Sequence, residues 1–276
     1  MCGILGYFGR KISKEAFAKA LNTLSHRGPD DEGIEEIELD NETLFLGHER
    51  LSIIDLSPLG HQPMSDDRGK VWITYNGEVY NFLDLKQLLI QKGYVFKSKS
   101  DTEVLIYLYR EYGIEMLHHL NGIFAFAIVD LDKNLIFAAR DHFSIKPFYY
   151  YYDGDKFIFS SEIKAILSFD GIDKELSVHN LFNYFVFLYS PSPDTPFKQI
   201  KKLDPGHYLI FDLKDRNLKT NSYWKWSDFL GENLSLFEKD SVKRLEEIFF
   251  RVMERQVISD VPVGFFLSGG LDSSTI

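Results

Sequence analysis

The sequence predicts an α+β fold, a sandwich of sheets with helices outside, followed by the opening of a separate α/β unit. Three observations carry that expectation. From Cys2 to about Phe211 the apolar residues recur in short alternating or continuous runs broken by Gly, Pro, Asn and Asp, which is the pattern of strands. The 24 Phe and 15 Tyr suit pleated, half-buried surfaces. Past Ser235 the character changes: an amphipathic stretch, a short apolar run and a Gly-rich turn follow one another.

Taken in order, Ile4–Phe8, Thr43–His48, Val71–Tyr75, Ile123–Asp130, Leu135–Ala139, Phe148–Tyr152, Lys156–Ser160 and Tyr208–Phe211 read as strands. Helical spacing is confined to Lys14–Ser25, Leu83–Lys92 and Thr102–Tyr112, with a shorter segment near Val178–Phe187. A polar stretch with Trp224 and Trp226, running through Gly231–Asn233, reads as a linker. The expected division is a first domain over 2–215, a linker over 216–234 and a second unit over 235–276. In that second unit Ser235–Ile258 reads as one amphipathic helix and Val261–Leu267 as a strand. The strand feeds Ser268-Gly-Gly-Leu-Asp-Ser-Ser274, a Gly-rich loop opening a helix, as at the start of a nucleotide-binding α/β domain. That domain is expected to be cut short at Ile276. Internal repeats and low-complexity tracts are absent.

Composition narrows the function. With 45% hydrophobic and 26% charged residues the chain has the balance of a soluble globular protein. Its 31 basic and 41 acidic residues give a net charge of −10, which disfavours nucleic acid as a partner. No run of 18 apolar residues and no leader pattern occurs, so a cytoplasmic protein with no membrane partner is expected. A single Cys excludes an internal disulfide and any Cys-based zinc cluster. The lone thiol is therefore either a small buried hydrophobe or a reactive group, and its position decides.

That Cys is residue 2. Removal of Met1 would leave thiol and free α-amine on one residue, and an amine titrating at about 7.7–8.0 can take the thiol proton. Alone, Cys2 could be an accident of a frayed terminus. The sequence after it, Gly3-Ile-Leu-Gly-Tyr-Phe8, instead ties the terminus into an apolar strand, and Gly3 leaves approach to the sulfur open.

Further motifs follow: Ser25-His-Arg-Gly-Pro-Asp30, Gly47-His-Glu-Arg-Leu-Ser-Ile-Ile-Asp55, Tyr75-Asn-Gly-Glu-Val-Tyr-Asn81 and Ser100-Asp-Thr-Glu-Val104. With Cys2-Gly-Ile4 they resemble, in order, the glutaminase domain of glutamine-hydrolysing asparagine synthetases, members of the N-terminal-nucleophile amidotransferases. The resemblance covers the whole chain. It implies a four-layer αββα N-terminal-nucleophile sandwich, followed by the truncated start of an ATP-pyrophosphatase domain.

Hydrolysis of the glutamine side-chain amide needs a nucleophile, a base, an oxyanion site and a grip on the amino-acid end. Cys2 and its α-amine would supply the first two. Asn76 and Gly77 are candidates for the oxyanion, through a side-chain NH2 and a backbone N–H. Asn-Gly is also a strong hairpin signal, and both readings can hold. Arg50 suits a bidentate pair with an α-carboxylate; in the family the matching Arg makes it, and Leu51, Ser52, Ile53 and Ile54 line the site. Asp101, and less so Glu78, would receive the α-ammonium, although Asp101 also reads as a helix N-cap. His26, His48 and His61 have no metal-ligand spacing and read as structural. The aromatic run Phe182–Tyr189 reads as buried core or domain-interface packing. Where relatives usually carry Leu-Gly, this chain has Phe143-Ser144, which puts the local turn in doubt.

The Ser268–Ser274 segment matches the pyrophosphate loop of ATP pyrophosphatases. Its residues Ser268, Gly269, Gly270, Leu271, Asp272, Ser273 and Ser274 are the ATP-binding candidates; lacking Lys, the loop would hold the anion through backbone N–H groups, the hydroxyls of Ser268, Ser273 and Ser274 and the helix N-terminus. The family places Leu267 on the nucleotide and Asp272 at the pyrophosphate and its Mg2+. The intact family enzyme needs no cofactor for glutamine hydrolysis and uses ATP, Mg2+ and aspartate for synthesis. The resemblance puts the rest of that site beyond Ile276, so glutaminase competence without asparagine synthesis is expected of this chain. Three alternatives stay open: another amidotransferase acceptor, amidation of a sugar acid or other carboxylate, and an idle module that binds glutamine or a partner subunit. Oligomeric state is left open, with a homodimer as the candidate.

Overall fold

Alternation along the first strand, β1 (Gly3–Arg10), already separates two layers. Ile4 and Phe8 face one core, while Leu5 and Tyr7 face another. The computed structural model describes residues 1–39, 41–230 and 238–276. After β1 the strands are β2 (Asp31–Leu39), β3 (Glu42–Arg50), β4 (Met64–Ser65), β5 (Val71–Val79), β6 (Gly122–Asp130), β7 (Leu135–Arg140), β8 (Tyr149–Tyr152), β9 (Phe157–Ser160), β10 (Ile200–Lys202), β11 (His207–Asp212) and β12 (Leu218–Ser222). The helices are α1 (Lys14–Asn22), α2 (Phe82–Gln91), α3 (Asp101–Tyr112), α4 (Ile163–Ile166), α5 (Val178–Phe187), α6 (Glu238–Gln256) and α7 (Leu271–Thr275).

Two antiparallel six-stranded sheets form, in the orders β10-β8-β9-β1-β3-β2 and β12-β11-β7-β6-β5-β4. Their facing sides share a core of Ile4, Phe8, Leu44, Leu46, Phe157 and Phe159 from the first sheet with Ala125, Ala127, Val129 and Phe211 from the second. The small alanines of β6 oppose the rings, which lets the sheets close on each other. The outer face of the first sheet packs Leu5 and Phe45 on Phe17 and Leu21 of α1, with Ala165 and Ile166 of α4. The outer face of the second packs Ile73, Phe126 and Phe137 on α2 and α3 through Leu85, Leu89, Leu105 and Leu108. These are the four layers, helices–sheet–sheet–helices, expected of the sandwich.

Local chemistry sets the helix starts. Ser13 caps α1 by accepting from Ala16 N–H, and Ser100 caps α3 by accepting from Thr102 N–H. Asp101 is therefore the first residue inside α3 and not its N-cap. Asn76-Gly77 lies in the middle of β5, paired with Ala125 and Phe124 of β6, so the hairpin reading fails: pairing with β6 overrides the local turn preference.

Other expectations also change. Val261–Leu267 forms no strand; it pairs with no strand among the described residues, and Phe266 is fully exposed. The aromatic run is not core: in α5 only Asn180 is buried, and Phe182, Phe185 and Leu188 face outward. The turn at Phe143-Ser144 does form, with Ser144 in the left-handed region at φ +55. Asp141 holds it by accepting from the N–H groups of Phe143, Ile145 and Lys146. Gly231–Asn233 of the expected linker and the first three positions of the expected Ser235 helix lie outside the described residues. Among the described residues no helix is long and apolar enough to cross a membrane.

Candidate active site

Cys2 sits at the mouth of β1, where Gly3 pairs with Glu49 of β3. The Arg27 Nε donates to the Cys2 carbonyl at 2.9 Å while its Nη1 pairs with Glu162 at 2.9 Å, so the terminus is pinned from one side. From the other, Sγ lies 3.5 Å from Leu51 N and 3.8 Å from Leu51 O. Burial pushes the thiol pKa up, against smaller lowering influences from the Leu51 hydrogen bond, Arg50 and Lys146. A thiol so placed stays protonated near neutral pH and needs a base to become a nucleophile. The Met1 α-amine beside it has its pKa lowered, mainly by burial, against the pull of Cys2.

Opposite Cys2 runs an open edge of β5. Its short neighbour β4 pairs only with Trp72 and Ile73. Beyond that point the N–H groups of alternate residues face the pocket instead of a strand. Tyr75 N–H donates to Gln62 Oε1 at 2.8 Å, and Val79 N–H donates to Asp101 Oδ2 at 3.1 Å. Gly77 lies between them in the period-two pattern and faces the same edge. Its cross-strand partner Phe124 is turned the other way, with N–H and C=O both bonded to Asp141. Gly77 N–H therefore points into the pocket. Asn76 is buried, and its Nδ2 has no hydrogen-bond partner. A Cβ at position 77 would overlap the backbone of Ile123 and Phe124, so close packing against β6 demands glycine there.

At the far end two buried charges lack ionic partners. Arg50, at the end of β3, makes no ion pair among the described residues; its Nη2 donates to Asp55 O at 2.6 Å and Ile54 O at 3.2 Å. Asp101 accepts from Tyr75 Oη at 2.8 Å and from Val79 N–H, with no cation within ion-pair distance among the described residues. Its pKa is raised by burial, against those hydrogen bonds. Holding two such groups unpaired is unfavourable in a closed protein, but a zwitterion with one carboxylate and one ammonium complements both.

One pocket of about 550 Å³, counting the space at its mouth, is lined by Cys2, Arg50, Leu51, Ile53, Ile54, Asn76, Gly77, Glu78 and Asp101. Of the expected glutamine residues only Ser52 is outside its wall; the Ser52 N–H donates to Asp30 at 2.8 Å. Met1, Gln62, Tyr75, Ser100, Thr102 and Lys146 also line it and were not singled out from sequence. Lys146 is the one with charge: it is buried, and its pKa is lowered by burial, against the pull of Glu78 and Cys2. Its signal was a lone Lys between two apolar residues, Ile145 and Pro147. His48 spans the sheets by donating from Nε2 to Tyr75 O at 3.0 Å, His26 meets Glu162 and His61 meets Asp31. No metal-binding cluster occurs among the described residues.

The Gly-rich loop lies apart from this pocket's wall. Gly269 has φ +79 and Gly270 stands at the N-cap of α7. Ser268 Oγ and Ser273 Oγ are 2.9 Å apart, and Leu267, Leu271 and Asp272 are exposed beside them. Small residues, hydroxyls and backbone N–H groups gathered without a bulky side chain fit a phosphate group.

A family model described as glutamine amidotransferase domain matches residues 1–224, and one described as asparagine synthase matches 244–276. The chain is 41% identical over 283 residues to asparagine synthetase [glutamine-hydrolyzing] 3 of Bacillus subtilis, covering 100% of this chain and 44% of that protein. It is 37% identical over 282 residues to asparagine synthetase [glutamine-hydrolyzing] 1 of the same organism, covering 100% and 43%. The chain thus spans under half the length of these two relatives. Among solved structures, the glutamine phosphoribosylpyrophosphate amidotransferase of B. subtilis complexed with ADP and GMP matches with a TM-score of 0.58 at 22% identity, over 81% of this chain and 49% of that one. At that identity the likeness is one of fold.

Proposed function

This chain belongs to the glutamine amidotransferase domain family, and on that premise we propose that it hydrolyses glutamine to glutamate and ammonia at the Cys2 pocket. One observation carries the reading: a single wall joins a half-buried thiol and an inward Gly77 N–H with, among the described residues, an unpartnered Asn76 Nδ2, an Arg50 without an acid and an Asp101 without a base. Arg50 would take the α-carboxylate, and Asp101 with Glu78 the α-ammonium. The side-chain amide would then lie toward Cys2. Once Met1 is removed, the Cys2 α-amine accepts the thiol proton and Sγ bonds to the amide carbon. The oxyanion that forms is held by Asn76 Nδ2 and Gly77 N–H. The proton passes to the leaving nitrogen, ammonia departs, and water attacks the thioester to release glutamate and restore the thiol.

We extend the reading to a longer ATP-dependent asparagine synthetase, in which this ammonia converts aspartate to asparagine. Ser268, Gly269, Gly270, Leu271, Ser273 and Ser274 would hold the phosphates of ATP, with Leu267 against the nucleotide and Asp272 near Mg2+. ATP would supply activation of the acceptor carboxylate. The match at 244–276 and the relatives' names support this; if the longer protein amidates a sugar acid or another carboxylate and not aspartate, the acceptor assignment is wrong.

The test is glutamate release by the purified chain, with intact mass recorded before and after 6-diazo-5-oxonorleucine. Loss of Met1, one adduct, and no turnover or adduct in Cys2→Ala are expected. A folded, Met1-free chain that yields neither glutamate nor adduct refutes the reading.

A further inference from the structure

The stretch after α6 reaches the pocket wall at Asp260. Its backbone N–H donates to Ile53 O at 2.9 Å, and its Oδ2 accepts from Asp55 N–H at 2.8 Å. The two bonds bracket Ile54. On the other side of the same loop Arg50 Nη2 donates to the carbonyls of Ile54 and Asp55. A change in the orientation of either peptide unit would therefore displace the guanidinium.

The loop needs such a hold. Residues 51–57 belong to no strand or helix, and Asp55 sits at φ +56, a left-handed conformation that disfavours non-glycine residues. The Asp55 carboxylate supplies one tether by accepting from Ser57 N–H at 3.1 Å and Lys99 N–H at 2.7 Å. Asp260 supplies the other. It is itself fixed: Ser259 Oγ accepts from Val261 N–H and donates to Val261 O. Nearby, Ile258 packs against the core of the second sheet and Arg255 pairs with Asp84 of α2 at 3.5 Å.

We propose that Asp260 is a positioning residue for glutamine binding, holding the Ile53–Ser57 loop in the shape that presents Arg50 to the substrate carboxylate. The inference rests on the glutamine reading above. It ties the affinity of the first domain's pocket to a residue that lies eight positions before Ser268 of the Gly-rich loop.

Asp260→Ala removes the acceptor for Asp55 N–H, and Asp260→Asn keeps an acceptor oxygen in its place. A lost hydrogen bond to a charged group corresponds to roughly a tenfold change in an equilibrium. Asp260→Ala is expected to raise KM for glutamine roughly tenfold, with kcat within about twofold, while Asp260→Asn stays within about twofold of the parent in both. Hydrogen exchange gives a readout that needs no turnover: amides of Ile53–Ser57 should exchange faster in Asp260→Ala and at the parent rate in Asp260→Asn. A KM unchanged by Asp260→Ala, equal KM effects of both variants, or unchanged exchange overturns the proposal. A parent chain with no glutaminase activity refutes the glutamine reading, and the exchange comparison still decides whether Asp260 holds the loop.

Discussion

Replacing Asn76 by Ala probes the oxyanion assignment, because the side chain has a distinctive resting state. Its Nδ2 is buried without an acceptor. No hydrogen bond to another protein group among the described residues has to be broken before it meets the oxyanion. A preorganised donor of this kind contributes ~3–4 kcal/mol in the transition state, so kcat should fall by about 10²–10³ with KM changed less than about threefold. Stability should move differently. A buried amide N–H group without a partner is unfavourable by about 1–3 kcal/mol, and deleting it offsets the packing lost with the side chain. Asn76→Ala is therefore expected to unfold within a few degrees of the parent. Steady-state glutamate release, set beside thermal unfolding, separates the two effects. A kcat within threefold of the parent, or a KM that rises while kcat holds, would refute the assignment.

Two further perturbations test the framework around the site. Ser144 adopts φ +55 while its carbonyl accepts from Arg140 Nη2 at 3.0 Å, so Ser144→Gly keeps that bond and relieves the backbone; chemical denaturation should show a gain of about 0.5–1 kcal/mol with glutaminase activity unchanged. Glu49 is buried on β3 with Oε1 unpartnered, and burial, followed by the charge of Glu32, raises its pKa to about 7. The folded state thus holds this proton more tightly than the unfolded chain does, and ionising Glu49 destabilises the fold as pH rises from about 4.5 through about 7. Glu49→Gln should match the parent in melting temperature below that window and exceed it at pH 8.5; equal melting temperatures at both pH values would show that Glu49 ionises without penalty.

Much of the layered core was readable because periodicity reports burial. β1, β3, β5 and β6 alternate or run apolar, and each buries what its pattern places inward. β2 escaped because Asp31, Glu32, Glu35, Glu36 and Glu38 mask the alternation; it is an edge strand, where charge blocks further pairing. β4 and β10 are two and three residues long and have no period to detect. Arg50 and Asp101 are legible through motifs, and Tyr75 and Thr102 stand in those same motifs without a role assigned to them, whereas Gln62 and Lys146 reach the pocket from segments that only the tertiary fold brings together. The Asn76-Gly77 hairpin signal misled for the same reason: its true neighbour, β6, begins 45 positions later.

The shortness of β4 has a further consequence. Had it continued beside β5, the N–H groups of Tyr75, Gly77 and Val79 would all have become ordinary rungs of a ladder. Instead Gln62 and Asp101 act as side-chain substitutes for the missing strand at the outer two positions, leaving the middle one open. A bound amide oxygen would complete the series in the manner of a guest strand one atom long. Regular sheet growth and a free donor at Gly77 are therefore mutually exclusive, and the oxyanion role proposed for this N–H depends on the sheet being interrupted there.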